Sequence, residues 1–300
     1  MELRHIRYFL AVADEMNFTR AAAKLCIAQP PLSRQIQDLE AELGVKLFIR
    51  KPHLLELTEE GILFKEYANR VLHLVEKATD DIREMKDGLQ GMLYLASVEG
   101  RGPHMIAQWV AGFSEIYPQV EFNLWNGSTD DVVNRISKGL GEIGIITEPF
   151  NSEGLEAIKV YEEPWVAIFP QEHPLAEKTK NKETVSFKEL SPYDLIIPNR
   201  QARTPEIRKW FASAGCEPKI KCKIAHTLSA TELSIQGVGV AIYPESISNY
   251  VDSEKICVKR LTRPNVSATY LLVWDKNRQL SKVASEFLAF VRDTLEVSEP

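Results

Sequence analysis

Between Glu59 and Leu89 the chain contains no proline, and Phe64, Ala68, Val71, Val75, Ala78, Ile82, Met85 and Leu89 recur at alternating spacings of four and three. A heptad pattern sustained for more than three repeats describes one long helix with a narrow apolar seam. Gly61 and Gly88 stand near its two ends, and Glu66, Asn69, Arg70, Lys77, Asp80, Asp81 and Arg83 fill much of the remaining surface. A seam this narrow either packs on its own chain or meets a second helix of the same kind. The second reading makes Phe64, Val71, Val75, Ala78 and Ile82 the contacts of a homodimer. The helix also divides the chain into a module of residues 1–58, a linker of 59–90 and a larger part of 91–300.

Pro30 and Pro31 fix a second boundary. Proline is excluded from helix interiors but sits well in a first turn, where its missing N–H is no loss. A helix therefore starts near Pro30 or Pro31 and runs to about Leu43, with Leu32, Ile36, Leu39 and Leu43 as a buried stripe and Gly44 as its stop. Upstream, Leu3, Ile6, Phe9, Leu10 and Ala13 have helical spacing, and Thr19 is placed to cap a short helix through Ala21, Ala22, Ala23 and Leu25. A short helix, a tight turn and a second helix with polar side chains at its N-terminal end seat a recognition helix in the major groove of DNA. Gln29, Arg34 and Gln37 suit base edges, because arginine pairs with guanine and glutamine with adenine. Thr19, Arg20, Ser33 and the helix start at Pro30 and Pro31 suit phosphates. The alternative is a solvated polar face on a small helical bundle.

The next residues favour the first reading. Lys46 to Thr58 reads as two short strands around a basic turn, with Arg50, Lys51 and His53 at its tip. A basic hairpin beside a recognition helix is a wing, whose arginine enters a narrow minor groove. Phe18-Thr19-Arg20-Ala21-Ala22, Gln29-Pro30-Pro31-Leu32-Ser33-Arg34-Gln35-Ile36, Leu39 to Phe48 and Leu57-Thr58-Glu59-Glu60-Gly61 together resemble the LysR-type transcriptional regulators over about sixty residues. Leu25 to Ile36 is similar in wording to the branch that controls aromatic-compound catabolism. The resemblance implies pairing through the linker helix, often further into tetramers, on double-stranded DNA carrying an interrupted inverted repeat. RNA polymerase is a further candidate partner.

From Leu93 onward strands alternate with helices, which argues for an α/β sheet with parallel pairing. The fold class expected is thus a multidomain chain of α+β and α/β parts: a winged helix-turn-helix, a linker helix and a two-lobed α/β effector domain resembling periplasmic solute-binding proteins. By that resemblance lobe I takes residues 91–161 and 266–300, and lobe II takes 162–265. Ligands of open α/β sheets bind beyond the carboxyl ends of the strands. This nominates Glu99, Gly100, Arg101, Ser128, Thr129, Thr147, Asn199, Arg200, Arg203, His226 and Thr227 for a small-molecule effector between the lobes. Ser128 and Thr129 precede a helix and offer donors to a carboxylate, with Arg200 or Arg203 as its counter-charge. Relatives responding to aromatic acids commonly carry serine or threonine after the first strand, where this chain has Glu99 and Gly100. Unless Arg101 offsets Glu99, an effector bearing an amine or several hydroxyls is expected instead.

Several classes are set aside. Gly139-Leu140-Gly141-Glu142-Ile143-Gly144 satisfies the dinucleotide-binding spacing, yet it closes a helix and leads into a strand, the reverse of what a pyrophosphate needs. Six dispersed histidines, no nucleophile elbow and no carboxylate–histidine cluster give no enzyme, no metal and no cofactor. Four cysteines without a Cys-x-x-Cys pair are expected as reduced thiols; a redox-responsive regulator using Cys216 and Cys222 is the alternative. A net charge of −6 argues against coating nucleic acid by bulk charge, but allows a small basic face on an acidic body. No apolar run approaches the roughly 20 residues of a membrane span, and the start has no signal-peptide layout, so a cytoplasmic protein is expected.

Overall fold

The computed structural model describes residues 1–51, 54–87, 89–251 and 255–298, without the side chains of 76, 77, 80–87, 250, 297 and 298. It contains two compact units, Met1–Gly88 and Leu89–Pro300.

The first unit has helices α1 (Leu3–Glu15), α2 (Phe18–Lys24) and α3 (Gln29–Leu43), the hairpin β1 (Phe48–Lys51) and β2 (Leu54–Leu57), and helix α4 (Glu59–Asp87). Ile6, Phe9, Leu10, Ala21, Ala22, Leu32, Ile36, Leu39, Leu47 and Phe48 form its core, with Phe9 edge-on to Phe64 at 4.8 Å. Asn17, not Thr19, caps α2: its side chain accepts from the amides of Thr19 and Arg20 at 2.9 and 3.0 Å. Asparagine lies one residue ahead of the helix, where an N-cap must sit. Helix α3 starts after Ala28 with no side-chain cap. Four N–H groups at a helix start lack internal partners, and here Pro30 and Pro31 supply two positions with no N–H at all. Gly44 ends α3 in the left-handed region, at φ 70°.

Two contacts fix the hairpin against the helices. Glu40, buried near the end of α3, accepts from the amides of Leu47 and Phe48 at 2.9 and 3.2 Å and from Lys46 Nζ at 2.8 Å. Burial works against its charge, but these three donors outweigh it and hold the carboxyl below the usual range. On the other side, Thr58 Oγ1 donates to the Lys46 carbonyl at 2.7 Å and accepts from the Gly61 amide at 2.8 Å. A Cβ at Gly61 would lie 2.1 Å from the Leu47 carbonyl oxygen, so only glycine lets α4 leave the hairpin this closely.

The second unit is built on β3 (Gly91–Val98), β4 (Val120–Gly127), β5 (Ile143–Thr147), β6 (Leu155–Pro170), β7 (Thr184–Ser186), β8 (Asp194–Pro198), β9 (Lys219–Ile224), β10 (Val240–Pro244), β11 (Ile256–Thr262) and β12 (Ser267–Asp275). Helices α5 (Arg101–Ile116), α6 (Thr129–Ser137), α7 (Pro174–Lys178), α8 (Phe187–Leu190), α9 (Arg203–Ser213), α10 (Thr227–Ile235) and α11 (Lys282–Ser298) cover the strands, and a 3-10 turn occupies Glu245–Tyr250. Strand order is β4-β3-β5-β12-β6-β10-β8-β9, with β11 on β6 and β7. The β3/β4, β3/β5, β8/β9 and β8/β10 pairs are parallel.

Strand β6 belongs to both lobes. Its first part pairs with β12 from Leu155 to Pro164, and its second pairs with β10 and β11 from Trp165 to Pro170. Sequence reading sees only Trp165–Phe169 as a strand, because Glu156, Lys159, Glu162 and Pro164 break the apolar run upstream. Proline lacks the ladder donor, and here it stands where one sheet hands the strand to the other. In lobe II Trp165, Ala167 and Phe169 face one core and Val166 and Ile168 the other.

Replacing Glu40 by glutamine should destabilise the full chain by about 1–3 kcal/mol, the value of hydrogen bonds to a charged group. Because folding lowers the Glu40 pKa, its contribution is present above the ordinary carboxylate range and is lost as pH falls through the lowered value. Acid melting curves of parent and Glu40→Gln should therefore converge; a constant gap at all pH values would contradict this role.

Candidate functional site

On the first unit the polar end of α3 is open. Gln29, Pro30, Pro31, Arg34 and Gln37 are exposed and Ser33 is half-buried. Arg34 has no ion pair among the described residues, so its five donors remain available. The neighbouring cations are already engaged. Arg20 bonds the Glu15 carbonyl and lies 3.6 Å from the Glu15 carboxylate, beside Lys24 at 3.2 Å. Arg50 Nη1 donates to Ser33 Oγ at 3.3 Å with its guanidinium 4.6 Å above the Phe18 ring. Lys51 pairs with Glu56 at 2.6 Å. Thr19 is exposed beside Arg20. His53, expected at the hairpin tip, lies outside the described residues.

On α4 the seam is divided. Phe64 packs against Phe9 and Ala68 is buried in the same core, so neither faces outward. The exposed apolar stripe is instead Leu63, Tyr67, Val71 and Leu74. It continues toward exposed Ala78, with Val75 half-buried; the side chain of Ile82 lies outside the described residues. The heptad spacing hides this offset because α1 takes one side of the helix.

In the second unit a cavity of about 80 Å³ lies between the lobes, lined by Val98, Glu99, Gly127, Ser128, Thr129, Thr147, Trp165, Pro198, Asn199, Arg200, Arg203, Ala225, Thr227, Tyr243, Pro244 and Tyr270. Eight of the nominated residues meet there; Gly100, Arg101 and His226 do not line it. Gly100 holds φ 83°, and a Cβ on it would come within 3.0 Å of Ser246 Oγ. Arg101 does not offset Glu99, as its guanidinium stacks on Tyr161 at 4.6 Å. Glu99 reaches across to lobe II instead. It pairs with His226 Nδ1 at 2.7 Å and accepts from the Thr227 amide at 2.7 Å. Burial opposes the Glu99 charge, but these bonds lower its pKa, and the same carboxylate raises that of His226.

The donors expected from Ser128 and Thr129 are committed. Ser128 donates through its amide and hydroxyl to Asp131 at 3.1 and 2.6 Å in a capping box. Thr129 Oγ1 bonds the backbone and hydroxyl of Thr147 at 3.2 and 3.3 Å. Arg200 donates to Thr147 Oγ1 at 3.1 Å and to the Pro149 carbonyl at 2.8 Å. Arg203 bonds Glu206 and the Glu148 carbonyl and stacks on Trp165 at 4.7 Å. Asn199 is exposed beside them.

One group behind the cavity, bonded to its lining residue Tyr270, escapes sequence reading. Glu163 is buried at the midpoint of β6 and accepts from Tyr270 Oη at 2.6 Å, Ser246 Oγ at 2.7 Å and the Ser246 amide at 2.9 Å. Burial, followed by the neighbouring Glu163 charge, raises the Tyr270 pKa, so the phenol stays a donor. A glutamate ahead of Pro164 gives no sign of this in the sequence, because its partners lie 83 and 107 residues away.

The cysteines do not form a pair. Cys216 packs with the core on one face of the lobe II sheet and donates to the Phe211 carbonyl, whereas Cys222 packs with the core on the other face. A disulfide would require one of them to cross the sheet. Among the described residues no group of three or more His, Cys, Asp or Glu is arranged to hold a metal. In Gly139–Gly144, α6 precedes the glycines and β5 begins at Ile143, the reverse of the strand-to-helix order a dinucleotide needs, and Glu142 of the motif accepts from the Ser281 amide at the start of α11 at 2.9 Å.

Residues 3–62 match the family model for bacterial regulatory helix-turn-helix proteins of the lysR family, and residues 86–296 match that for the LysR substrate binding domain. The chain is 29% identical to the Hca operon transcriptional activator HcaR of Escherichia coli, covering 98% of both chains. It is 28% identical to the regulator BsdA of Bacillus subtilis over 96% of this chain and 99% of that one. Among solved structures, CbnR, a LysR family transcriptional regulator, superposes with a TM-score of 0.78 at 26% identity, covering 98% and 99% of the two chains. CbnR complexed with its target DNA superposes with a TM-score of 0.76 at 27% identity, covering 98% and 100%.

The Glu99–His226 contact sets a pH dependence between the lobes. The lowered Glu99 pKa gives a contribution present above the carboxylate range; the raised His226 pKa gives one that is complete below 6.5 and lost as pH rises through the raised value. Protection of the Thr227 amide from hydrogen exchange should thus fall across the His226 titration. In Glu99→Gln that step should vanish, and its persistence would assign it elsewhere.

Proposed function

The chain belongs to the LysR family of helix-turn-helix transcriptional regulators, and from that premise we propose that α3 reads base edges in the major groove while a small molecule between the lobes of the second unit controls the grip. Arg34 carries this reading. It is exposed at the polar end of α3, without an ion pair among the described residues, and Gln29 and Gln37 are exposed beside it. An arginine so placed suits the guanine edge and the two glutamines suit adenine. Thr19, Arg20, Ser33 and the start of α3 at Pro30 and Pro31 border the phosphates, with Arg50 and Lys51 on the wing. The structure of CbnR complexed with its target DNA supports the same use of the homologous module.

Residues 1–58 are assigned to DNA, 59–90 to dimerisation and 91–300 to the effector. Pairing uses the stripe Leu63, Tyr67, Val71 and Leu74, continued by Val75, Ala78 and Ile82, and two-fold symmetry then sets two copies of α3 on an interrupted inverted repeat. Further pairing into tetramers and contact with RNA polymerase follow the family reading. The chain acts by binding rather than catalysis. No helix among the described residues is long and apolar enough to cross a membrane, which accords with work in the cytoplasm.

Arg34→Ala should weaken binding to the specific site by about 1–3 kcal/mol, the value of one bidentate base contact, with circular dichroism and oligomeric state unchanged. Undiminished sequence-specific footprinting would refute the assignment. Sedimentation provides a second check: Leu63→Glu with Leu74→Glu should dissociate the dimer, whereas Phe64→Ala should lower the melting temperature instead.

A further inference from the structure

We propose that Glu15 is an internal counter-ion that withholds Arg20 and Lys24 from the phosphates and so limits the sequence-independent part of the DNA grip. This rests on the reading of residues 1–58 as the DNA-binding module. Sequence-independent affinity comes from cations that neutralise phosphates. In residues 1–58 eight lysines and arginines stand against seven aspartates and glutamates, a net side-chain charge of only +1 with histidine neutral. A module so nearly neutral attracts a polyanion weakly, and the placing of its carboxylates decides which cations stay effective.

Most of these cations are matched at close range. Arg4 pairs with Glu2 at 3.4 Å, Lys46 with Glu40 at 2.8 Å and Lys51 with Glu56 at 2.6 Å. Glu15 serves two at once: its Oε2 lies 3.6 Å from Arg20 Nε and its Oε1 lies 3.2 Å from Lys24 Nζ. Arg7, Arg34 and Arg50 are left without a carboxylate among the described residues.

The arrangement around Glu15 is that of a bound phosphate. Arg20 and Lys24 stand four residues apart on α2, hence on one face, and Glu15, the last residue of α1, offers one oxygen to each. Arg20 also donates to the Glu15 carbonyl. The Glu15 side chain is 28% exposed, against 66% and 59% for Arg20 and Lys24, so the anion is set back behind cations that face solvent. A phosphate reaching this face meets charges that already have a partner, and it gains only what it offers beyond Glu15. Arg20 thus borders the phosphates with much of its charge withheld. Binding then leans on the base edges met by Arg34, which matters because non-specific sites vastly outnumber specific ones.

The test titrates the full chain over a range of salt against two duplexes, one that it selects from a random pool and one unselected. Glu15→Gln should tighten the unselected duplex by roughly two- to tenfold. It should also steepen the slope of log affinity against log salt by about one to two, as one or two phosphates gain a partner. Lys24→Gln should leave the parent's slope unchanged, but in the Glu15→Gln chain it should take away about one of the added slope. A Glu15→Gln slope equal to the parent's would overturn the proposal. So would an equal change from Glu60→Gln, an exposed glutamate without an ion pair among the described residues, because net charge alone would then explain it. A slope lowered by about one in Lys24→Gln alone would show Lys24 already on a phosphate, and it needs no variant at Glu15 that folds. A parent that selects no duplex overturns the DNA-binding reading itself; one that selects a duplex, with no response to Glu15→Gln, overturns the counter-ion alone.

Discussion

The carboxylate of Glu163 lies at the one point where the chain passes from one sheet to the other without a break, and it is bonded from both sides. Tyr270 reaches it from β12 of the first lobe and Ser246 from the 3-10 turn of the second. A buried carboxylate is tolerated only where its lone pairs are filled, so the three donors and the charge require one another. Removing either partner leaves a buried ion short of a bond at the crossing. The walls of the cavity are positioned from this point: Trp165 is two residues further along β6, and Tyr270 presents its ring to the same space.

The first unit uses a carboxylate in a comparable way. Glu40 ties the end of α3 to the two amides that open the hairpin, and Thr58 with Gly61 ties the other end of the hairpin to α4. The exposed side chains of α3 and the cations of β1 are thereby held at a set spacing on one small core. The two polar surfaces are thus joined by hydrogen bonds between anchored side chains, Glu40 and Thr58, and the backbone.

Local rules carried much of this into the sequence. Pro30, Pro31 and Gly44 mark the bounds of α3, and the apolar stripe from Leu32 to Leu39 names its buried side. The alternation of strands and helices in the second unit was equally legible. What failed depended on distant partners. The seam of α4 reads as one stripe in the sequence, but α1 claims Phe64 and Ala68 and leaves Leu63, Tyr67 and Leu74 outward. Strands β9 and β11 carry charges between their apolar residues and β7 is only three residues long, so none of them stands out in the sequence. In the cleft, spacing nominated Ser128 and Thr129 as donors, yet Asp131 and Thr147 take those bonds. Charge pairing across the cleft, invisible in the sequence, decides which nominated group remains unsatisfied.

Strand β6 has a mechanical consequence. Each half is stitched into a different sheet, and Pro164 is the residue at the join. Two bodies sharing a single stitched strand cannot slide past each other without tearing a ladder of hydrogen bonds. Rotation about the join is the cheaper motion, as in a torsion bar clamped at both ends. The stiffness of that short span sets how far a given push at the cleft is transmitted, and it does so independently of how tightly anything binds there.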